Sequence, residues 1–444
     1  MDPFPSTKLG PPRGAAEAIA RPRLEARLNR ARAEQRATLV GAPAGYGKTT
    51  LVAHWLRSLG EPAAWFTVDP GDVADDAGDV AAVVSGWLRA ALGVALRAAG
   101  ADTRALDGPR DPTALAAAVE RSEWRGVLVV DDVHHLRSAC GAALATWVER
   151  APDGVHTVLI ARQTPSVPVA RWLARGTLEL LTVDDLRLEP TEGRALVARL
   201  LPDLSAAHAD ALVARVEGWP AGVQLASRSL RGKVDPADHI ERFTGTDRYV
   251  LAFLTEEVLL RLPDDLHEAA VLLAGQPRLC AGLVEAVTGR GDGAALLARL
   301  EAAEAFLERL DAVDADGPWF RFPDFFRDLL GYRLTLTHPD LPQRLEARAA
   351  GWWTRRSERA AATERDVDRG RVASDPLGRA AEDLTERERE VAKLLAGGAS
   401  TKAIARALGL SPNTVKTHTR HVFEKLGARN RTEAAAALRR RGLA

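Results

Sequence analysis

The sequence predicts a chain of several domains: an α/β domain built on a parallel sheet, then helical domains, then a small all-α tail. Three observations predict it. Short continuous apolar runs at 37–40, 63–68, 127–130 and 157–161 alternate with segments of helical spacing, the pattern of a parallel sheet buried on both faces. From about residue 191 the strand-like runs give way to helical segments punctuated by Gly and Pro. From about residue 384 the chain reads as short helices, each opened by a capping residue.

Taken in order, 6–23 is rich in Pro and Gly and reads as an extended lead-in. The spacing predicts a helix over 24–34, a strand over 37–40 that ends in Gly41-Ala42-Pro43, and a helix over 49–59. A second strand at 63–68 precedes an acidic loop over 69–79 and an apolar helix over 80–99. The stretch 355–383 is rich in Arg, Asp, Glu and Ala and reads as a linker or an exposed helix. No repeat of 20–50 residues is visible, which argues against a solenoid.

The length of 444 residues suits two to four domains, and 46% hydrophobic residues suffice for sizeable cores. With 27% charged and 5% aromatic residues, disordered and collagen-like classes are excluded. Two cysteines, Cys140 and Cys280, cannot make a disulfide framework and read as reduced and intracellular. Arg89 and Arg97 interrupt the most apolar stretch, so no membrane span is expected, and the first residues lack the pattern of a signal peptide. Together these point to a cytoplasmic protein. Sixty basic and sixty acidic side chains cancel, which for the whole chain argues against a nucleic-acid partner. The charge is unevenly spread, however. Residues 377–444 hold 14 basic and 7 acidic side chains, a net +7, against −7 for the remainder. An acidic body therefore carries a basic tail.

Between the first strand and its helix lies Gly41-Ala42-Pro43-Ala44-Gly45-Tyr46-Gly47-Lys48-Thr49-Thr50, a P-loop. Glycines let backbone N–H groups turn inward around phosphates, and the helix N-terminus adds its positive dipole end. Ala42 replaces the first glycine of the strict pattern, while Gly45 and Gly47 keep the tight part of the turn free. Gly45, Gly47, Lys48, Thr49 and Thr50 are the candidate nucleotide-binding residues. Lys48 would reach the β- and γ-phosphates, and Thr49 would place its hydroxyl on Mg²⁺. The strand Val127-Leu128-Val129-Val130 ends in Asp131-Asp132. Asp131 is the metal-side candidate and Asp132 would orient or activate an attacking water, which makes this pair the candidate catalytic acids. His134 and His135 have no Cys or His partner at ligand spacing and read as a polar loop.

In the tail, Thr385 and Glu388 have capping-box spacing ahead of Val391, Leu394 and Leu395. Ser400 opens a second helix carrying Ile404, Ala405 and Leu408, and Gly409 ends it. Ser411 caps a third helix with Pro412 at its first position, where a missing N–H costs nothing. This is a helix-turn-helix pattern. Val415, Val422 and Leu426 share one face and should pack inward. Asn413, Thr414, Lys416, Thr417 and Arg420 lie outside that stripe and offer the donors and acceptors that a DNA major groove and its phosphates take up. His418 and His421 read as surface residues.

These residues resemble two known families. The tail is similar to the LuxR-type helix-turn-helix domain in Leu384-Thr385-Glu386-Arg387-Glu388-Arg389-Glu390-Val391, Thr414-Val415-Lys416-Thr417-His418 and Lys425-Leu426-Gly427-Ala428-Arg429-Asn430-Arg431-Thr432-Glu433-Ala434. The front resembles the signal-transducing STAND ATPases of the MalT-like type, in Thr7-Lys8-Leu9, Arg21-Pro22-Arg23-Leu24, the P-loop, the Asp131-Asp132 strand, Gly218-Trp219-Pro220-Ala221-Gly222 and Asp247-Arg248-Tyr249-Val250. The resemblance implies a lead-in over 1–35, a P-loop NTPase (ATPase) domain over 36–170, a helical domain over 171–236, a winged-helix domain over 237–335, a linker over 336–383 and a LuxR-type DNA-binding domain over 384–444. It also implies that Arg162 senses the nucleotide and that Pro220 lies near the adenine. Two departures stand out. Pro323 occupies the position where the family usually has a His that contacts the bound diphosphate. The interval 333–383 is too short for the long helical-repeat sensor of large members.

The expected function is an ATP-binding, nucleotide-switched transcriptional regulator. Its expected ligands are ATP or ADP with Mg²⁺, and its expected partners are double-stranded promoter DNA, further copies of itself and, at the promoter, RNA polymerase. Hydrolysis, if present, would be slow and serve the switch. Two alternatives stay open: a DNA-tethered NTPase, and a DNA-binding protein whose nucleotide site does not hydrolyse. For the tail, Lys416→Ala is expected to weaken DNA binding across sequences and to lower the slope of log K against log salt by about one. Titration of duplex DNA at several salt concentrations checks this, and an unchanged slope removes Lys416 as a phosphate contact.

Overall fold

Five short strands, all parallel and rich in Val, Leu, Ile and Ala, form the central sheet in the order β2-β3-β4-β1-β5. The strands are β1 (Ala37–Gly41), β2 (Ala64–Thr67), β3 (Gly126–Asp131), β4 (Val155–Ala161) and β5 (Leu178–Leu181). Every residue of β3 and β4 is buried, as expected of strands covered on both faces. The computed structural model describes residues 4–12, 18–72, 79–233, 235–373, 385–396, 401–408, 410, 414–415, 418–419, 421–422 and 434. It divides into two units, Met1–Trp352 and Trp353–Ala444.

The helices around the sheet begin where the sequence supplies caps. In α4 (Pro112–Arg121), Asp111 accepts hydrogen bonds from the amides of Thr113 and Ala114, and Pro112 sits at the first position. In α3 (Val80–Ala98), Asp79 accepts from Ala82 N–H at 3.0 Å. By length and composition α3 is apolar enough to cross a membrane, which corrects the expectation that Arg89 and Arg97 exclude such a helix. Its Val84, Trp87, Leu88, Leu92 and Leu96 are buried in the core of the α/β layer, and Trp87 stacks on Phe66 of β2 at 5.5 Å. Burying these side chains stabilises each by roughly 1.5–3 kcal/mol.

Strand β5 pairs with β1 through Ala37↔Leu178 to Val40↔Leu181. The sheet thus extends past residue 170, into the stretch assigned from sequence to the helical domain. Leu178-Glu179-Leu180-Leu181 carries too little periodicity to be told apart from its helical neighbours, and only pairing with β1 makes it a strand.

After the sheet come α8 (Pro190–Leu200), α9 (Ala206–Arg215) and α10 (Pro220–Leu230), then α12 (Arg248–Glu257), α13 (Asp264–Leu272), α14 (Ala281–Thr288) and α15 (Gly293–Ala302). An antiparallel hairpin, β6 (Glu308–Asp314) with β7 (Gly317–Arg321), leads into α16 (Asp324–Thr337). Three helices, a hairpin and a following helix make a winged-helix arrangement. Of the stretch read as a linker or an exposed helix, the described part, 355–373, is helical, in α17 (Leu341–Ala373). In the second unit, α18 (Glu386–Ala396) and α19 (Thr401–Leu408) bury Val391, Leu395, Ile404 and Ala405 against Val415. The capping box is formed: Glu388 N–H donates to Thr385 Oγ1 at 3.3 Å, and Thr385 N–H donates to Glu388 Oε2 at 2.9 Å.

A buried histidine joins two central strands. His156 of β4 donates from Nδ1 to the carbonyl of Gln35, and its Nε2 accepts from Thr38 Oγ1 at 2.9 Å. The neutral ring satisfies both nitrogens in this way, and burial pushes the imidazole down to about 4. Below the unfolded-state value near 6.5 the unfolded chain binds the extra proton first, so this stabilisation is complete above about pH 6.5 and is lost towards pH 4. It amounts to about 3 kcal/mol. Thermal midpoints between pH 7 and pH 5 should fall less steeply for His156→Gln than for the parent chain, and equal slopes would remove His156 from the acid transition.

Candidate functional site

Strands β3, β4 and β1 are neighbours, so their C-terminal ends bring Asp131, Arg162 and the phosphate loop to one edge of the sheet. Open parallel sheets bind ligands at this edge. The loop turns through Gly45 (φ 80°) and Gly47 (φ 74°), both in the left-handed region. Gly45 has a second requirement. A Cβ there would lie 2.7 Å from both Ala221 Cβ and Trp219 Nε1, so only glycine fits between the loop and α10.

Lys48 opens α2 (Lys48–Leu59), and its side chain is buried. Its Nζ donates to the carbonyls of Ala42 at 2.6 Å and Pro43 at 2.9 Å. Among the described residues no carboxylate lies within ion-pair reach of it. Burial pushes the ammonium down to about 8, with Glu304 the largest opposing charge. A buried cation held only by carbonyls of its own loop, at a helix N-terminus, fits an incoming phosphate.

Thr49 donates from Oγ1 to Asp131 Oδ2 at 3.1 Å. Asp131 is 3% exposed, and burial together with neighbouring Asp132 pushes its carboxyl up to about 7. A hydroxyl and a carboxylate converging in a buried spot are hard oxygen donors suited to Mg²⁺, and a cation there would offset the burial of the charge. Asp132 adopts φ 58° and donates from its own amide to Asp131 Oδ1 at 2.9 Å. His134 lies beyond it, packed 4.0 Å from the His135 ring. Burial pushes the His134 imidazole down to about 3, with the charges of His135, Arg162 and Lys48 adding to the effect.

The other candidates fall on two sides of the loop. Gly45, Gly47, Thr50 and Pro220 line one cavity of about 220 Å³, with Ile19, Arg21 and Leu51. Arg162 lines two others, of about 550 and 530 Å³. Its Nη1 is 2.8 Å from Glu257 Oε2, and the same carboxylate oxygen holds Arg261 at 2.9 Å.

Several residues of this region were given no contact or role by the residue-by-residue reading of the sequence. Trp219, fully buried, donates from Nε1 to the carbonyl of Ala44 in the loop at 3.2 Å. It stacks on Phe325 at 4.7 Å and meets Phe253 and Phe306 edge-on. Pro323 stands directly before α16. Arg21 is anchored by Glu192 at 2.8 Å and by the carbonyls of Leu186 and Arg187. Trp219 lies in the quoted stretch Gly218-Trp219-Pro220-Ala221-Gly222, but nothing local in it specifies a contact with Ala44.

In the second unit Thr414 is exposed and Val415 and Val422 are buried, as the predicted faces require. His421, read as a surface residue, is half-buried 3.8 Å from the buried Glu388. Asn413, Lys416, Thr417 and Arg420 lie outside the described residues, as do Gly397, Gly398, Ser400, Gly409, Ser411, Pro412 and Leu426.

The sheet order, the loop and the acid at the end of β3 define a P-loop NTPase-like fold, followed by a winged-helix arrangement and a small helical tail. Residues 382–438 match the family model of bacterial regulatory proteins, luxR family, and residues 255–342 match that of the MalT winged helix domain. The chain resembles MalT-type regulators along most of its length. It is 27% identical over 358 residues to the HTH-type transcriptional regulator MalT of Yersinia enterocolitica, covering 78% of this chain and 38% of that protein. It is 30% identical over 404 residues to the serine/threonine-protein kinase PknK of Mycobacterium tuberculosis, covering 87% of this chain and 34% of the kinase. The chain therefore spans little more than a third of these relatives' length. Among solved structures, a Walker-type ATPase of Pyrococcus abyssi shares the fold, with a TM-score of 0.51 and 12% identity over 72% of this chain and 97% of that one.

Trp219→Ala is expected to lower stability by about 3–5 kcal/mol through the cavity it leaves. Trp219→Phe, which loses the bond to Ala44 and part of the ring but keeps an aromatic in place, should cost less, about 1–3 kcal/mol. Denaturant titrations of the three proteins check the order, and equal midpoints for Trp219→Ala and the parent would exclude this role.

Proposed function

We propose that the chain is a nucleotide-switched transcriptional regulator that binds DNA through its C-terminal domain. The observation that carries this reading is a phosphate loop with a buried, unpaired Lys48 in the same chain as a luxR-family domain. Bound Mg²⁺ would supply charge neutralisation between nucleotide phosphates. Thr49 and Asp131 would hold it, Lys48 would take the β- and γ-phosphates, and Gly45 and Gly47 would offer backbone N–H groups. Thr50 and Pro220 would border the nucleoside side, because they share the cavity lined by Gly45 and Gly47. Asp132 would orient a water, with ATP cleaved to ADP slowly enough to act as a timer.

Arg162 is the sensing group in this reading. It sits at the end of β4 beside the loop, and its partner Glu257 belongs to α12. A change at the phosphates that drew Arg162 inward would leave Glu257 to Arg261 alone. The site and the winged-helix arrangement would then be coupled by differential contacts, as a two-state switch requires. In the tail, Asn413, Thr414, Lys416, Thr417 and Arg420 would face DNA. Two chains brought together by the switch would read paired half-sites of a promoter and there meet RNA polymerase. The domain division proposed is 36–170 with the added strand β5 for the ATPase layer, 237–335 for the winged helix and 384–444 for the DNA-binding tail. A cytoplasmic location follows from these partners.

Sizing of the chain without nucleotide, with ADP and with ATP tests the switch. ATP is expected to shift the parent chain towards larger assemblies, and Lys48→Ala, which should bind ATP at least tenfold more weakly, is expected to show no shift. A Lys48→Ala chain that assembles and binds promoter DNA like the parent would sink the nucleotide half of the proposal.

A further inference from the structure

Four side chains of alternating charge close a square between the helices after the sheet and the winged-helix hairpin. Arg187, shortly before α8, and Glu217, in the turn between α9 and α10, stand on one side. Glu308 of β6 and Arg321 of β7, partners in the hairpin register, stand on the other. Each cation meets the acid across the gap: Arg187 Nη2 holds Glu308 Oε1, and Arg321 Nη2 holds Glu217 Oε2. Arg321 Nη2 also reaches Glu308 Oε2 within the hairpin, at 2.8 Å. The other oxygen of Glu217, Oε1, accepts from the amide of Asp324 at the start of α16, at 2.8 Å.

The four side chains are only 18–30% exposed. An isolated surface pair contributes little, but a partly buried network costs more to break, because each charge removed leaves its partner unmatched away from water. The square is also pinned in place. Glu217 lies in the left-handed region, at φ 52°, a conformation that a non-glycine residue keeps only where its surroundings enforce it. Arg187 Nη1 donates to the main-chain carbonyl of Glu217 at 2.6 Å, and the amide of Leu188 donates to the carbonyl of Gly218 at 2.8 Å. Two residues after Glu217, Trp219 bonds the loop carbonyl of Ala44. One turn therefore carries both the tie to the hairpin and the tie to the phosphate loop.

We infer that Arg187, Glu217, Glu308 and Arg321 form a clasp that holds the hairpin and the start of α16 against the turn beside the phosphate loop, and that the strength of this clasp sets how much ATP is needed to switch the chain. The second half rests on the nucleotide-switch reading above; the first does not. The clasp needs no ligand, since every charge finds its opposite among the other three. A nucleotide that reshapes the loop displaces Ala44, and through it Trp219 and the Glu217 turn, so it acts on the clasp through differential contacts. A stronger clasp takes up more of the nucleotide's binding energy and raises the ATP concentration at which the open form is half populated.

The test combines hydrogen exchange with ATP-dependent sizing of the full chain, in the parent, Glu217→Gln, Arg321→Gln, the double variant and Arg27→Gln. The last removes a charge from a separate cluster with Glu179 and Asp185. Without nucleotide, each clasp variant is expected to speed exchange over 322–326, which includes the Asp324 amide, by about tenfold. The double variant should add little to either single change, because both break the same pair. Exchange in β3 and β4 should stay as in the parent, and the ATP concentration at half the size shift should fall by about the same factor as exchange rises. Arg27→Gln should match the parent in both measurements. Unchanged exchange over 322–326 overturns the clasp, as does an equal acceleration in β3 and β4, which would mean that these contacts only support the fold as a whole. Faster local exchange with an unmoved ATP midpoint overturns its control of the switch. If ATP shifts the size of neither parent nor variants, the nucleotide-switch reading fails and the second half of the inference with it, while exchange still decides the first.

Discussion

Much of the first unit depends on the placement of one indole. Trp219 stands at the N-terminus of α10, hydrogen-bonds the carbonyl of Ala44 and stacks on Phe325 at an interplanar angle of 8°. Three parts of the chain meet there: the phosphate loop, the helices after the sheet, and the winged-helix part. The loop yields space for it through Gly45, and the amide of Ala221 returns a hydrogen bond to the carbonyl of Gly45 at 3.0 Å. A large aromatic ring with one polar atom suits this position, because it buries a wide apolar area and still satisfies a loop carbonyl. The loop is therefore shaped from beneath by residues distant in sequence, as well as by its own glycines.

Around this anchor the site holds charges that water would ordinarily keep. Lys48 and Asp131 are buried, and Glu304 carries a buried oxygen, yet none of the three forms an ion pair among the described residues. Burial moves all three towards their neutral forms. Elsewhere in the unit charge is paired in the usual way. Arg187 and Arg321 share Glu217 and Glu308, and Arg27 joins Glu179 and Asp185. Buried, unpaired groups gathered at one sheet edge are what a ligand of mixed charge would meet, as the proposed nucleotide with its metal would be.

The two departures from the family pattern acquire physical content. Where a histidine is usual, Pro323 sets the start of α16, and Phe325 two residues on supports Trp219. From the turn before the hairpin, Glu304 lines both cavities beside Arg162. Among the described residues of the short interval before the tail, 341–373 form a single helix, α17. In this chain the two larger cavities beside Arg162 lie between sheet and winged-helix elements.

What the sequence determined by itself is what short-range chemistry controls. The phosphate loop, the acids closing β3, the capping box of Thr385 and Glu388 and the split of charge between body and tail all rest on residues a few positions apart, where backbone geometry and local hydrogen bonds decide the outcome. Tertiary structure decided the rest. Leu178–Leu181 became a strand only by pairing with β1. The apolar helix Val80–Ala98 was given its place by a sheet to pack on. Arg162 meets Glu257 across 95 residues and Trp219 meets Ala44 across 175. A contact of that span depends on how layers stack, which no local pattern encodes, so Glu304 reads in the sequence as one more acid in a helical stretch. In the folded chain it is the acid beside the phosphate loop.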